Sequence, residues 1–156
     1  GLLHYYFKNK EEMLTRVVQD NIDAVVARME AIFSQINTAD TLAEELMKAL
    51  RDTLTYQPDY FVLFVEGWFL TRRTRATQPI LTEGHRRFRL AIKKGLQDLA
   101  DRKIINPAIS ISGLAAIMTG IVDGYGMQMV IEPELIASDD IWKAAETAIR
   151  NLIVIQ

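Results

Sequence analysis

Cysteine is absent from the 156 residues, which removes thiolate nucleophiles, cysteine-ligated zinc and disulfide scaffolds together. The absence also fits a reducing, cytoplasmic setting. Only four prolines occur, Pro58, Pro79, Pro107 and Pro133, and each falls at the edge of an apolar-periodic segment. Strand-period alternation of any length is missing, so a glycine-rich phosphate loop behind a strand is excluded with it. Neither sign of charge dominates: 18 Lys+Arg stand against 20 Asp+Glu, a net −2, which excludes a bulk polycation built to coat nucleic acid. With 49% hydrophobic and 24% charged residues the composition is globular rather than disordered. The length suits one domain of roughly 100–200 residues, and at this size about 70% of the unfolded surface can be buried without staples. The chain opens at Gly1 without a starting methionine, inside what reads as a helix, so the natural N-terminus is expected to lie upstream.

One apolar run tests the soluble reading. Gly113 to Ile131 holds a single charge, Asp123, and approaches the roughly 20 residues a membrane helix needs. Asp123 near its centre would cost about 2.5–3.5 kcal/mol on insertion. Gln128 and four glycines weaken the case further, so the expectation is a helix buried on several sides within a soluble domain.

Helices are predicted throughout. Asn9-Lys10-Glu11-Glu12 carries the capping-box spacing, and Met13, Val17, Ile22, Val25, Val26, Met29, Ile32, Phe33 and Ile36 follow near helical period. This predicts one long helix from Lys10 to Gln35. Asp40 or Thr41 is expected to cap a second, striped by Leu42, Leu46, Leu50 and Leu54 and ending near Gln57. Pro58 suits the first turn of a third, apolar on all sides over residues 60–65 and running to about Arg75. Pro79 opens a fourth to about Ala100, with Phe88, Ile92, Leu96 and Leu99 inside. After a loop to Pro107, a fifth is expected from Ala108 to Ile131, and a last one begins with Asp139 and Asp140, acidic residues that favour a helix N-terminus. The predicted class is all-α.

The first fourteen residues, Gly-Leu-Leu-His-Tyr-Tyr-Phe-Lys-Asn-Lys-Glu-Glu-Met-Leu, set an aromatic helical end, a tight basic turn and a capped helix in order. Leu3 and Phe7 share a helical face, while Lys8 and Lys10 supply donors for phosphate oxygens at a helix N-terminus. This order resembles the end of the helix-turn-helix in the TetR family of bacterial transcriptional regulators. Gly1, Leu3, Tyr5, Tyr6, Phe7, Asn9, Lys10, Glu11 and Leu14 match the family pattern. The resemblance implies phosphate contacts by Tyr6 and Lys10. Leu2 stands where threonine is common and His4 where a phosphate-contacting tyrosine is usual, and an imidazole can still donate to phosphate. On this reading residues 1–9 are the tail of a truncated DNA-binding domain and 10–156 a ligand-binding and dimerisation domain, a TetR-like helical bundle. Two recognition helices of a dimer would then lie about 34–36 Å apart, one turn of DNA.

Phe61, Phe64, Trp68, Phe69, Phe88, Met47 and Met118 lie on the central helices and could line an apolar cavity or simply fill a core. The polar candidates beside them are Glu66, Arg72, His85, Arg89 and Asp123, because ligand pockets are mostly apolar with a few placed polar groups. His85 is expected at the surface or a helix end. The family resemblance implies a ligand cavity here, with Phe61, Phe64, Trp68, Phe69, Arg72, Phe88, Arg89 and Met118 as its candidates. Arg72 to Lys103 holds ten basic and three acidic residues, a local +7 that leaves −9 elsewhere. Such runs are usually solvated helix faces; attraction of an anionic effector or added DNA affinity are the alternatives.

Leu114, Met118, Ile121, Val122, Tyr125 and Met129 give the fifth helix more apolar surface than one neighbour covers, and Gly120 and Gly124 permit close approach. With Trp142, Ile149, Leu152 and Ile153 on the last helix, these predict a four-helix interface of a two-fold homodimer. Leu114, Met118, Val122, Tyr125, Trp142, Ile149, Leu152 and Ile153 are its expected members.

Catalysis finds no constellation. Neither His4 nor His85 follows a Glu at the three-residue spacing of a di-iron site, and no serine falls in a nucleophile motif. No metal or cofactor is expected. The function expected is a ligand-responsive DNA-binding regulator, a repressor released from operator DNA by a small apolar or amphipathic effector. The alternative is a helical ligand carrier or protein-interaction module without DNA binding.

Overall fold

The computed structural model describes residues 10–59, 61, 62, 65, 66 and 78–153, with the side chains of 10–12, 14 and 15 excepted. Among these residues there are five α-helices, one 3-10 helix and no strand, so the class is all-α. The helices are α1 (Lys10–Gln35), α2 (Ala39–Tyr56), α3 (Gln78–Asp101), α4 (Ile111–Ile131) and α5 (Asp139–Ile153), with the 3-10 turn Pro133–Ala137 before α5. Residues 58, 59, 61, 62, 65 and 66 are helical as well.

Local chemistry accounts for the boundaries. The α1–α2 turn ends at Thr38, whose hydroxyl accepts from the Thr41 amide at 3.2 Å while the Thr41 hydroxyl accepts from the Thr38 amide. This reciprocal box corrects the expectation that Asp40 or Thr41 caps α2, since the cap must stand three residues ahead of the amide it satisfies. Ser110 likewise caps α4 by accepting from Gly113 at 3.1 Å, so that helix begins later than the expected Ala108. α3 closes with Lys103 in the left-handed region at φ 59°. There the Ile104 amide reaches Leu99 O and the Lys103 amide reaches Ala100 O, both at 2.9 Å. These two bonds form the Schellman arrangement, which satisfies the last carbonyls of a helix.

α1 and α3 run side by side in the same direction. A Cβ on Gly84 would overlap Ile22, and one on Gly95 would overlap Phe33, an offset of 62 residues in both pairs. Glycine at these two positions is what lets the helix axes approach. Ion pairs Arg87–Asp23 at 2.8 Å and Lys94–Glu30 at 3.8 Å keep the same register. α2 packs chiefly on α5 and α4 chiefly on α3. Phe33, Ile36, Leu42, Met47, Ile92, Leu96, Leu99, Leu114, Ile149 and Ile153 fill the continuous core between them. Across the α2–α5 seam Arg51 donates to Asp139 at 2.7 Å with its guanidinium over the Trp142 ring, and Arg150 donates to Glu44 at 2.7 Å.

α4 is the one helix among the described residues long and apolar enough to cross a membrane by length and composition. Only 33% of its most apolar window is buried, which departs from the expected burial on several sides. Leu114, Ala115, Met118, Thr119, Gly126 and Met129 face the core, whereas Ile117 and Ile131 are exposed at 42% and 69%. The reason is angular: the core takes one stripe, and among the described residues no element covers the opposite one. The residues expected at a dimer interface divide by their burial within the single chain. Leu114, Met118, Trp142, Ile149 and Ile153 are at most 3% exposed within the single chain, so their side chains are already spent on the core. Tyr125 and Leu152 are half-buried against it, and the Tyr125 hydroxyl donates to Ile141 O at 3.2 Å.

Candidate functional site

α1 packs along α3 but barely touches α2, and the wedge between them opens a cavity of about 210 Å³. Its apolar lining comes from Val25, Met29 and Ile32 of α1, Leu46 and Leu50 of α2, Phe61 of the helical residues that follow α2, Leu81 and Phe88 of α3, and Val122 of α4. These residues recur at three- and four-residue intervals because each helix turns one stripe inward. Phe61 lies against Gly126, where a Cβ would overlap its ring, so the missing side chain on α4 seats an aromatic wall of the cavity.

Polar groups enter from two sides. From α3 and α4, His85 Nε2 donates to Asp123 Oδ2 at 2.8 Å, with both side chains 35% exposed. The two residues are separated by 38 positions, and the expectation of His85 at the surface or a helix end is corrected: it faces the cavity one residue beyond Gly84. From α1 and α2 come Asn21, Arg28 and Thr53, with Gln57 at the C-terminal cap of α2. Arg28 donates through Nη1 to Thr53 Oγ1 at 2.8 Å, and that hydroxyl donates in turn to Ala49 O at 2.7 Å.

The expected pocket residues divide. Phe61 and Phe88 line the cavity. Met118 and Met47 do not; they are 3% and 2% exposed and belong to the core, while Val122 and Asp123, one turn beyond Met118, take the wall. Val122 thus passes from expected interface to cavity. Arg89 is exposed and outside the lining, since Leu81, Gly84, His85 and Phe88 mark the inward stripe and Arg89 falls on its edge. Phe64, Trp68, Phe69 and Arg72 lie outside the described residues, as do His4, Tyr6, Lys8 and the side chain of Lys10. Reading stripes in the sequence missed Arg28 and Thr53 because an arginine and a threonine flanking apolar stripes look like any solvated edge. Only the splay of α1 from α2 turns that edge inward.

The basic block is largely neutralised where it is described. Arg86 pairs with Glu83 through two bonds of 2.8 and 2.9 Å, Arg87 with Asp23, Lys94 with Glu30 and Arg102 with Asp98. The Arg86 hydrogen bonds hold the Glu83 carboxyl below its usual pKa and raise that of Arg86. These are solvated faces of α3. Among the described residues no group of three or more His, Asp or Glu is placed to hold a metal ion.

No family model matches the chain, and no curated protein matches it significantly. Among solved structures, the fold is similar to that of a transcriptional regulator, FadR from Bacillus subtilis, in complex with stearoyl-CoA. The TM-score is 0.74 over 96% of this chain and 79% of that one, at 16% sequence identity. At this identity the likeness is one of fold.

Proposed function

We propose that the chain is the sensing and dimerising part of a ligand-responsive transcriptional regulator of the TetR type. The observation that carries this reading is the cavity itself. One of its walls is α1, the helix that directly follows residues 1–9, where the sequence resembles the tail of a helix-turn-helix. The fold shared with a regulator that holds stearoyl-CoA supports it, as does the mostly apolar lining with a few placed polar groups.

In this mechanism a small apolar or amphipathic effector enters between α1 and α2. Because α1 is braced on α3 by the Ile22–Gly84 and Phe33–Gly95 contacts, occupancy moves α1 with its N-terminal end, and with it the DNA-binding segment. The spacing of two recognition helices about 34–36 Å apart is then lost, and the repressor leaves its operator. Moving such an equilibrium from 1:99 to 99:1 requires the effector to prefer the released state by about 5.5 kcal/mol. His4, Tyr6, Lys8 and Lys10 are the proposed phosphate contacts, and the working compartment is the cytoplasm, where operator DNA lies.

The homodimer belongs to this reading on a revised surface. Ile117, Gly120, Gly124 and Ile131 follow one exposed or half-exposed stripe of α4, and among the described residues nothing lies within 4 Å of a Cβ built on Gly120 or Gly124. Ala144 and Ala148 are exposed on α5. Small residues flanked by isoleucines allow two copies to approach closely around a two-fold axis. The test of the whole reading is operator affinity of the intact regulator, by fluorescence anisotropy, with and without saturating effector. A fall of tenfold or more is expected; unchanged affinity would overturn the release mechanism.

A further inference from the structure

Among the described residues, the cavity presents its occupant with one arginine that no carboxylate pairs. Arg16, Arg51, Arg86, Arg87, Arg102 and Arg150 each pair with an Asp or Glu. Arg28, the one arginine among the described lining residues, has no carboxylate within ion-pair distance among those residues and donates to the Thr53 hydroxyl instead. A guanidinium carries five donors in a planar fork matched to a carboxylate. Thr53 meets one of them. Asn21 and Gln57 add amides along the wall that α1 and α2 form.

Polarity also runs in one direction. Arg28 is exposed, so it stands at the mouth, whereas Met29, Leu46, Leu50 and Phe61 are 5–8% exposed and form the floor. The only carboxylate among the described lining residues is Asp123, and His85 engages it. On the α1–α3 register His85 lies level with Asp23, five residues before Arg28. At 1.5 Å per residue that is roughly 7.5 Å along the helix axis, enough to keep an anion at Arg28 out of contact with Asp123.

We propose that the effector is an apolar acid, its carboxylate seated on Arg28 beside Thr53 and its hydrocarbon body among Leu46, Leu50, Phe61, Phe88 and Val122. This rests on the reading of the cavity as the effector site. The carboxylate takes Arg28 donors that Thr53 leaves unused, and the tail displaces water from the floor.

The experiment is calorimetric titration of decanoate, decan-1-ol and decylamine into the purified chain and into its Arg28→Gln and Arg28→Lys variants, with thermal melts to confirm that each variant is folded. Decanoate is expected to bind the parent chain about tenfold or more tighter than decanol, the range of a charge-assisted hydrogen bond at a partly solvated site. Arg28→Gln removes that preference and leaves decanol within about twofold. Arg28→Lys retains part of it, keeping the charge without the fork. Decanol or decylamine binding as tightly as decanoate, or a preference that survives Arg28→Gln, overturns the acid head group while leaving the cavity as a binding site. If none of the three binds, the effector-site reading falls and this inference with it.

Discussion

A methyl group at position 126 would land on the Phe61 ring, and that ring is a wall of the cavity. Gly126→Ala therefore sets a helix-propensity gain of up to about 1 kcal/mol against overpacking that costs roughly 1–3 kcal/mol in a filled core. The larger effect is the clash, because both residues lie inside the bundle. Net destabilisation is expected in urea unfolding, together with weaker uptake of an apolar ligand as the ring is driven toward the cavity. Gly120→Ala, compared in the monomeric Ile117→Asp background, is the control: among the described residues its Cβ meets nothing within 4 Å, so the folded single chain gains the propensity term alone. Equal stability of the two variants would show that Phe61 yields without resistance.

At the scale of the element, the ends of helices carry the sharpest local chemistry. Thr38 satisfies the Thr41 amide and is satisfied in return, so Thr38→Ala is expected to lower stability by about 1 kcal/mol, within the range for lost caps of roughly 0.5–2 kcal/mol. Asp40 touches Arg150 only at 3.8 Å with its side chain 80% exposed, and Asp40→Ala is expected to change stability by less than about 0.5 kcal/mol. Denaturant midpoints of the two variants decide between them; the reverse order would return the cap to Asp40. The capping-box spacing was there to be read in Thr38-Ala39-Asp40-Thr41. Reading it required accepting a threonine where Glu or Gln usually closes the box.

For the whole molecule, the uncovered stripe of α4 is the feature most exposed to test. An apolar helix with a third of its most apolar window buried leaves Ile117 and Ile131 in water unless a second copy covers them. Sedimentation velocity is expected to find a dimer at micromolar concentration. Ile117→Asp is expected to give a monomer of unchanged helical content, because a charge there meets the partner rather than the core. A parent chain that stays monomeric over the same range would remove the two-fold interface from the functional reading.

Periodicity and end chemistry in the sequence alone determined the helices. α1 spans the expected Lys10–Gln35, and the leucine stripe of α2 and the Ile92–Leu96–Leu99 stripe of α3 are buried as expected. A helix ends where its own backbone and the nearest side chains leave it, so that information is local. Which face of an apolar helix meets the core is not local. Leu114 and Ile117 are equally apolar in sequence, yet one is 0% and the other 42% exposed, because neighbours from distant parts of the chain arrive on one side only. The cavity has the same origin. His85 and Asp123 meet across 38 positions, and Arg28 turns from a solvated edge into a cavity group because glycines hold α1 close along α3 while α2 splays away and meets it, at the cavity, through the Arg28–Thr53 bond. Helix packing, settled by those small contacts, is what only the tertiary structure decided.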